Sequence, residues 1–169
     1  MGITLDGART SYDCNRMTAS ALGLFAAIVI TGVLAGVLFA VQIAQVPVQR
    51  GLGARDFVLV KSRFEQQYGP KMPAVVVASL LAPIAVYVAA GSWSTELALV
   101  VIGHACSAAV LAVTAIYNLP VNRQAIGWDP ERPPADWEAL RDRWHRGNAI
   151  RLPISVAAFG CHAAAAVIS

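Results

Sequence analysis

The feature that most constrains this 169-residue chain is the distribution of its charged residues. Four long stretches contain no Asp, Glu, Lys or Arg, and they cover residues 17–49, 72–95, 97–122 and 152–169. Each reaches or approaches the roughly 20 residues that an α-helix needs to cross the hydrocarbon core of a bilayer. Because lipid offers the backbone no hydrogen-bond partner, such segments satisfy their own N–H and C=O groups as helices. The pattern predicts an all-α protein with four membrane-spanning helices.

The composition supports this assignment. The chain is 57% hydrophobic and only 14% charged, whereas soluble domains carry about 25% charged residues. The first run is far longer than the roughly 7–15 apolar residues of a secretory signal, so we expect it to be retained as the first span. We predict one integral-membrane four-helix bundle domain over residues 1–169, with spans at about 18–46, 72–92, 97–120 and 148–168.

The basic residues predict the orientation of this bundle. Eleven of the 13 Lys and Arg residues fall in the loops that join spans one to two and three to four, whereas Arg9 and Arg16 lie in the N-terminal tail. The positive-inside rule therefore places those two loops in the cytoplasm and both termini outside the cell membrane. The net charge of +3 reflects these flanking residues. Because the chain has no basic stripe with exposed aromatics beyond the membrane flanks, we expect no nucleic-acid partner.

Both cytoplasmic loops carry helical patterns of their own. In the first, four apolar residues recur at helical spacing with charged residues between them, which predicts an amphipathic helix in the membrane interface; they are Phe57, Val60, Phe64 and Tyr68. This helix acts either as a membrane-surface anchor or as a lid over a cavity that faces the cytoplasm. In the other loop the pattern turns helical at about Ala135, which predicts a cytoplasmic extension of the last helix.

Polar residues recur at helical spacing along three of the four spans. The stripes comprise His104, Ser107, Thr114, Asn118 and Asn122 on span three, Asn148, Arg151, Ser155 and His162 on span four, and Gln42, Gln45 and Gln49 on span one. Polar groups in hydrocarbon are costly, so they face the bundle interior or a wet cavity. They either hold helices together through hydrogen bonds or line a pocket. Since the three stripes converge at the cytoplasmic end, we favour a pocket there.

Two histidines lie toward the outer ends of spans three and four. His104 and His162 fall at a similar depth, with Cys106 and Cys161 nearby. Two histidines on neighbouring helices suggest haem or copper ligation, but the chain has no further ligand at helical spacing from either. We therefore expect a hydrogen-bonded neutral pair without a metal or cofactor, and haem or copper at these histidines is the alternative.

The second half of the chain resembles a known family. The stretch Tyr117-Asn118-Leu119-Pro120-Val121-Asn122 is followed, after a loop, by Trp137, Arg143-Trp144, Asn148 and Arg151. In compact form this is N-x-P-x-N, a loop, and R-W-x-x-x-N-x-x-R, and it resembles the anthrone oxygenase-like family of small four-span membrane proteins. The resemblance covers roughly Thr18 to the C-terminus. It implies that some relatives oxidise anthrones to anthraquinones in polyketide pathways, although membership does not fix the reaction.

This resemblance implies a role for the cytoplasmic-end pocket. An anthrone enolate reacts with O2 without a metal, and its formation requires donors for the developing oxyanion. We assign catalytic roles to Asn118, Asn122, Asn148 and Arg151. We assign substrate contacts to Gln42, Gln45, Tyr117 and Trp144, of which the indole suits stacking on a flat molecule.

The general base is the least defined part of this prediction. His145 is the histidine near the cytoplasmic end, but it directly follows Trp144 on the helix, which favours an outward direction. Water or the substrate's own phenol is the alternative base.

The predicted activity is that of a cofactor-free membrane monooxygenase acting on a lipophilic, polyketide-like molecule in natural-product biosynthesis. A cofactor-free cyclase or isomerase with the same donors is an alternative, and a non-catalytic ligand-binding or helper protein is another. The expected partners are the lipid bilayer and a lipophilic small molecule. A second copy of the chain, in a homo-oligomer, is a further possible partner.

Overall fold

The predicted all-α fold is confirmed, because the described part of the chain contains helices and no strand. The computed structural model describes residues 4–168, with side chains from Cys14 onward. Residues 1–3 and 169 of the predicted domain, and the side chain of Arg9, lie outside the described residues. The elements are α1 (Thr4–Ala40), a π-helical turn (Val41–Gln45), α2 (Val46–Arg50), α3 (Ala54–Tyr68), α4 (Met72–Leu81), α5 (Ile84–Ala89), α6 (Thr95–Val113), a second π-helical turn (Thr114–Asn118), α7 (Leu119–Ala125) and α8 (Trp137–Ile168).

Among the described residues, four helical segments are long and apolar enough to cross a membrane, which makes this a multi-pass membrane protein. They are Cys14–Arg50, Met72–Ala89, Thr95–Ala125 and Trp137–Ile168. Many large apolar side chains on these segments point outward, for example Phe25 at 66% and Phe39 at 53% exposure. Such a surface suits lipid rather than water. The side of the membrane on which each terminus lies stays a prediction.

The last helix packs against two other spans of the bundle. α8 packs against both α6 and α1, and α4 and α5 pack against these same two helices. The apolar core forms three layers along the bundle axis. The layer next to the connection between α7 and α8 consists of Val46, Val121, Leu140 and Trp144. We refer to this end of the bundle, where α3 and residues 126–136 lie, as the α3 end.

The predicted loop helix is present as α3, but its buried face differs from the predicted one. Phe57 is fully buried, and its ring centroid lies 6.1 Å from that of Trp128 and 5.6 Å from that of Trp137. Lys61 and Glu65, which the sequence pattern assigned to the polar face, follow Phe57 at intervals of four residues and are also buried. The helix therefore presents two ionisable side chains to the bundle.

Candidate functional site

Two wide π-helical turns interrupt the spans at the α3 end. The first, Val41–Gln45, lies in span one, and the second, Thr114–Asn118, lies in span three. Each is followed two residues later by a proline, Pro47 or Pro120. Proline has no N–H to donate to the carbonyl four residues earlier, which loosens the helical ladder there. The local sequence therefore favours a widened turn, and such turns are frequent at functional sites.

Arg143 of α8 compensates for the hydrogen bond that Pro120 removes. Its Nη2 donates to the carbonyl oxygen of Ile116, four residues before the proline, at 2.7 Å. Backbone carbonyls are strong acceptors that native structures rarely leave unpaired. Arg143, which precedes Trp144 in the family motif, thus stabilises the second π turn from the neighbouring helix α8.

Asn118 fixes the second π turn against α8. Its side chain is fully buried, and its Nδ2 donates to the backbone carbonyl of Trp144 at 3.0 Å. Gly147 provides the space for this contact, because a Cβ at that position would overlap Asn118 Oδ1 and approach the Cβ of Tyr117 to 2.6 Å. The close approach of the two helices therefore depends on a residue without a side chain.

Arg151 lies at the end of a chain of polar contacts that joins three spans. Gln42 Oε1 accepts a hydrogen bond from Asn148 Nδ2 at 2.9 Å. Asn148 Oδ1 in turn accepts one from Arg151 Nη2 at 3.3 Å, while Arg151 Nη1 donates to Thr114 Oγ1 at 3.2 Å. The guanidinium is therefore oriented from span three and, through Asn148, from span one.

A fully buried lysine lies at the same end. Lys61 Nζ donates to Glu65 Oε1 at 2.6 Å and to Asn122 Oδ1 at 3.1 Å. The ammonium also lies 3.8 Å from the ring centroid of Trp144, whose Nε1 donates to the same Asn122 oxygen at 2.8 Å. Asn122 thus connects α3 to α8. One face of the indole that was predicted to stack on substrate is covered by Lys61.

Burial is the main influence on the Lys61 ammonium. It lowers the pKa of Lys61 from its ordinary 10.5 to about 8, because the charged form loses its hydration. The carboxylate of Glu65 opposes this change, whereas the positive charge of Arg151 adds to it. Such a lysine has a substantial neutral fraction near physiological pH, and an ordinary surface lysine does not.

His145 faces the interior, so the expected outward direction is wrong. Its ring is buried, and its Nε2 lies 2.9 Å from Oε1 of the fully buried Gln49. Trp144, the adjacent residue, is also buried. Both fit inside because α8 packs against helices on two sides, which makes its buried arc wider than a single stripe.

Several buried polar atoms at the α3 end have no hydrogen-bond partner within the described part of the chain. They are Gln49 Nε2, Asn118 Oδ1, His145 Nδ1 and Arg151 Nε. Native proteins pair most buried polar groups. Four such atoms on spans one, three and four therefore mark a region with unused capacity for donating and accepting hydrogen bonds.

A cleft of about 500 Å³ borders this region. Its lining is more charged than the dry aromatic slot that an anthrone requires, and it comprises Gln42, Arg50, Arg141, Asp142, His145, Arg146 and Ala149. Gln42 belongs both to the cleft wall and to the contact chain that ends at Arg151. Gln42 is therefore the residue that connects the cleft to the predicted catalytic residues.

The predicted site residues lie together at the α3 end. Six of the eight form two hydrogen-bonded groups, one of Gln42, Asn148 and Arg151 and the other of Asn118, Trp144 and Asn122. The other two, Gln45 and Tyr117, are half-buried, and their side chains make no hydrogen bond among the described residues. Sequence reasoning missed Lys61 and Glu65 as inward-facing groups. Their spacing of four residues from Phe57 was the available signal.

The predicted hydrogen bond between the two outer histidines is wrong, because among the described residues each histidine contacts a different partner. His104 Nδ1 lies 2.8 Å from the hydroxyl of Tyr87, and the two rings are stacked. His162 Nδ1 lies 3.5 Å from Thr31 Oγ1, which itself donates to the carbonyl of Ala27 at 2.6 Å. The described residues contain no cluster of three or more His, Cys, Asp or Glu side chains suited to a metal ion. The lack of a cofactor stays a prediction.

Comparison with known proteins agrees with the resemblance seen in the motifs. A profile of the family described as anthrone oxygenase matches residues 64–161, which is more than half of the chain. The four predicted catalytic residues and Glu65 lie inside this match, whereas Gln42 and Lys61 precede it. No curated protein and no solved structure matches the chain at a significant level. The chain belongs to the anthrone oxygenase family.

Proposed function

We propose that this protein is an integral-membrane, cofactor-free monooxygenase that converts an anthrone-like polycyclic molecule into the corresponding quinone. The observation that carries the proposal is the oriented guanidinium of Arg151, held by Asn148 and Thr114 at the α3 end. A preorganised cation with fixed amide donors beside it is the arrangement that stabilises a developing oxyanion. Family membership adds independent support.

The reaction needs no external reductant. Loss of a proton from the activated CH2 group leaves its electron pair on the substrate as an enolate, whose negative charge rests largely on the carbonyl oxygen. The enolate carbon then reduces O2 and forms a C–O bond. Loss of water from the resulting peroxide yields the second carbonyl, so that CH2 plus O2 gives C=O plus H2O. Arg151, with Asn118 and Asn148, stabilises the enolate oxygen and thereby lowers the barrier of the first step.

The membrane location fits such a substrate. A flat polycyclic molecule partitions into hydrocarbon, so a site within a bundle that spans the bilayer meets it at high local concentration. The cleft beside Gln42 places charged groups next to this site, including Arg50 and Arg146. These groups suit the phenolic oxygens that polyketide-derived anthrones carry.

Purified protein in detergent provides the test, with anthrone as the probe. The wild-type protein is expected to consume one O2 per quinone formed. Arg151→Lys and Asn118→Ala are each expected to lower turnover by about tenfold to a thousandfold, because loss of one preorganised oxyanion donor has effects up to that size. Lys is a poor substitute for Arg151 since it lacks the rigid fork of donors.

Arg123→Lys serves as the matched control. Arg123 is exposed at the end of α7 and lies outside the contact chain, so full turnover is expected. Full activity in Arg151→Lys would place the site elsewhere. Equal loss of folded protein and of activity would assign Arg151 and Asn118 to helix packing.

A cyclase or isomerase is the second candidate. Its support is that the same donors stabilise an enolate whether or not O2 follows. Turnover of an enolisable substrate without O2 uptake would favour it. Binding of anthrone without any turnover would favour a non-catalytic helper.

A further inference from the structure

The mechanism above requires a group that removes the substrate proton, and a residue suited to this task lies outside the region matched by the family. Lys61 is fully buried on α3, a loop helix, whereas lysines are almost never fully buried without a partner. The chain has one other lysine, Lys71, which is exposed at the start of α4. Burial therefore distinguishes the two lysines.

The contacts of Lys61 orient its nitrogen toward the same end of the bundle as the oxyanion donors. Glu65 lies on its own helix, and Asn122 belongs to the N-x-P-x-N segment of span three. Trp144 of α8 provides an aromatic face 3.8 Å away. Residues from α3, α7 and α8 thus fix the amine in place, which is a requirement for proton transfer at a defined carbon atom.

The charged groups that act on Lys61 come from two helices. Glu65 on α3 stabilises the ammonium, and Arg151 on α8 destabilises it. The ring of His145, also on α8, is close enough for Lys61 to influence it electrostatically. Burial lowers the pKa of Lys61 to about 8, which favours the neutral amine, and this is the form that accepts a proton.

We infer that Lys61 is the general base of this enzyme and accepts the proton from the activated carbon of the substrate. The inference rests on the proposed function. In the step the C–H bond breaks, an N–H bond forms on Nζ, and the electron pair stays on the substrate as the enolate. The new ammonium lies beside Glu65, which offsets its charge, while Arg151 stabilises the enolate oxygen. Proton acceptor and oxyanion donors thus belong to different helices of one site.

Proton abstraction can be measured separately from oxygenation. Under nitrogen and in D2O, the wild-type protein is expected to exchange the activated hydrogens of anthrone for deuterium faster than buffer alone. Lys61→Arg retains the charge but cannot act as a base at neutral pH, because the guanidinium stays protonated. We expect it to slow exchange by about a hundredfold to ten-thousandfold, the usual contribution of a positioned acid–base group. Lys71→Arg is the matched control and should leave exchange unchanged.

A second variant protects this test against misfolding. Lys61→Met/Glu65→Gln removes the amine together with its carboxylate partner, so that no buried charge is left unpaired, and its loss of exchange should equal that of Lys61→Arg. Circular dichroism and size-exclusion chromatography establish that both variants are folded. Wild-type exchange rates in both folded variants would overturn the assignment of Lys61.

The pH profile gives a readout that a structural role of Lys61 would not produce. The exchange rate of the wild-type protein is expected to rise with pH and to level off above about 8. Glu65→Gln removes the charge that favours the ammonium, so the plateau should begin at lower pH. An unchanged profile in Glu65→Gln would contradict the assignment.

The outcomes also separate this inference from the proposed function. If hydrogen exchange depends on Lys61 but no O2 is consumed, the assignment of Lys61 as the base is kept and the proposed oxygenase activity is overturned. If O2 is consumed but hydrogen exchange does not depend on Lys61, the proposed oxygenase activity is kept and the assignment of Lys61 as the base is overturned. Absence of both activities in the wild-type protein overturns both assignments.

Discussion

The buried amine of Lys61 predicts how the stability of the protein depends on pH. In the folded protein the pKa of Lys61 is lowered from 10.5 to about 8 by burial. Between these two values the unfolded chain therefore binds more protons than the folded one. The free energy of unfolding accordingly rises with pH across this window, and the Lys61 contribution is flat below about 8 and above about 10.5.

The size of this effect follows from the same two values. Each unit of pKa corresponds to about 1.4 kcal/mol, so the change across the window is on the order of 3 kcal/mol. It reflects the free energy needed to keep an ammonium ion in a buried position. A gain of this size is a substantial part of the roughly 5–15 kcal/mol by which domains are usually stable.

Unfolding in mixed micelles at a series of pH values from 7 to 11 provides the assay. The reference is the double variant Lys61→Met/Glu65→Gln, because it removes both members of the buried pair and leaves no unpaired charge. The stability difference between the wild-type protein and this reference should move in favour of the wild type as the pH rises. A difference that stays constant over the window, or that moves in favour of the reference, would refute the burial argument.

Four further predictions concern packing, capping, topology and cofactor content. Gly147→Ala should destabilise the bundle by about 1–3 kcal/mol, because its Cβ meets Asn118; chemical unfolding measures this. Arg143→Met should reduce stability by about 1 kcal/mol by leaving the carbonyl of Ile116 unpaired. Ser92→Cys in a cysteine-free background should react with an impermeant maleimide on intact cells; labelling only after lysis would reverse the predicted orientation. Purified protein should show no Soret band and no stoichiometric copper or iron, and finding either would support ligation by the outer histidines.

The helices were predictable because membrane insertion depends on a local property of the chain. A run of apolar residues about 20 long is sufficient to identify a span, whatever the rest of the fold does. Residues such as Asn118 and His162 were predictable for a related reason. A polar side chain inside such a run has few acceptable directions other than the bundle interior.

The inward position of Lys61 could not be predicted in this way. Amphipathic patterns assign charged residues to the outer face, and that rule fails where a charge is buried with a partner. Two of the three partners of Lys61, Asn122 and Trp144, lie far from it in sequence. The spacing from Phe57 was a signal for the direction of Lys61, but it contains no information about which distant residues contact the amine.

The inward direction of His145 was also beyond the sequence pattern. The width of the buried arc of α8 depends on how many helices surround it, and this number is a property of the whole bundle. The hydrogen bond between Arg143 and the carbonyl of Ile116 was also not predictable, because predicting it requires the positions of both the π turn and the neighbouring helix.

The two π-helical turns also set the rotational register of everything that follows them. A π turn contains one residue more than the α-helical turn that it replaces. Deletion of a single residue within Val41–Gln45 would therefore restore a regular α-helix and rotate α2 by about a quarter of a turn, moving Gln49 away from His145. The same deletion within Thr114–Asn118 would turn Asn122 away from Lys61. At both positions the site should tolerate many substitutions more readily than a change in length.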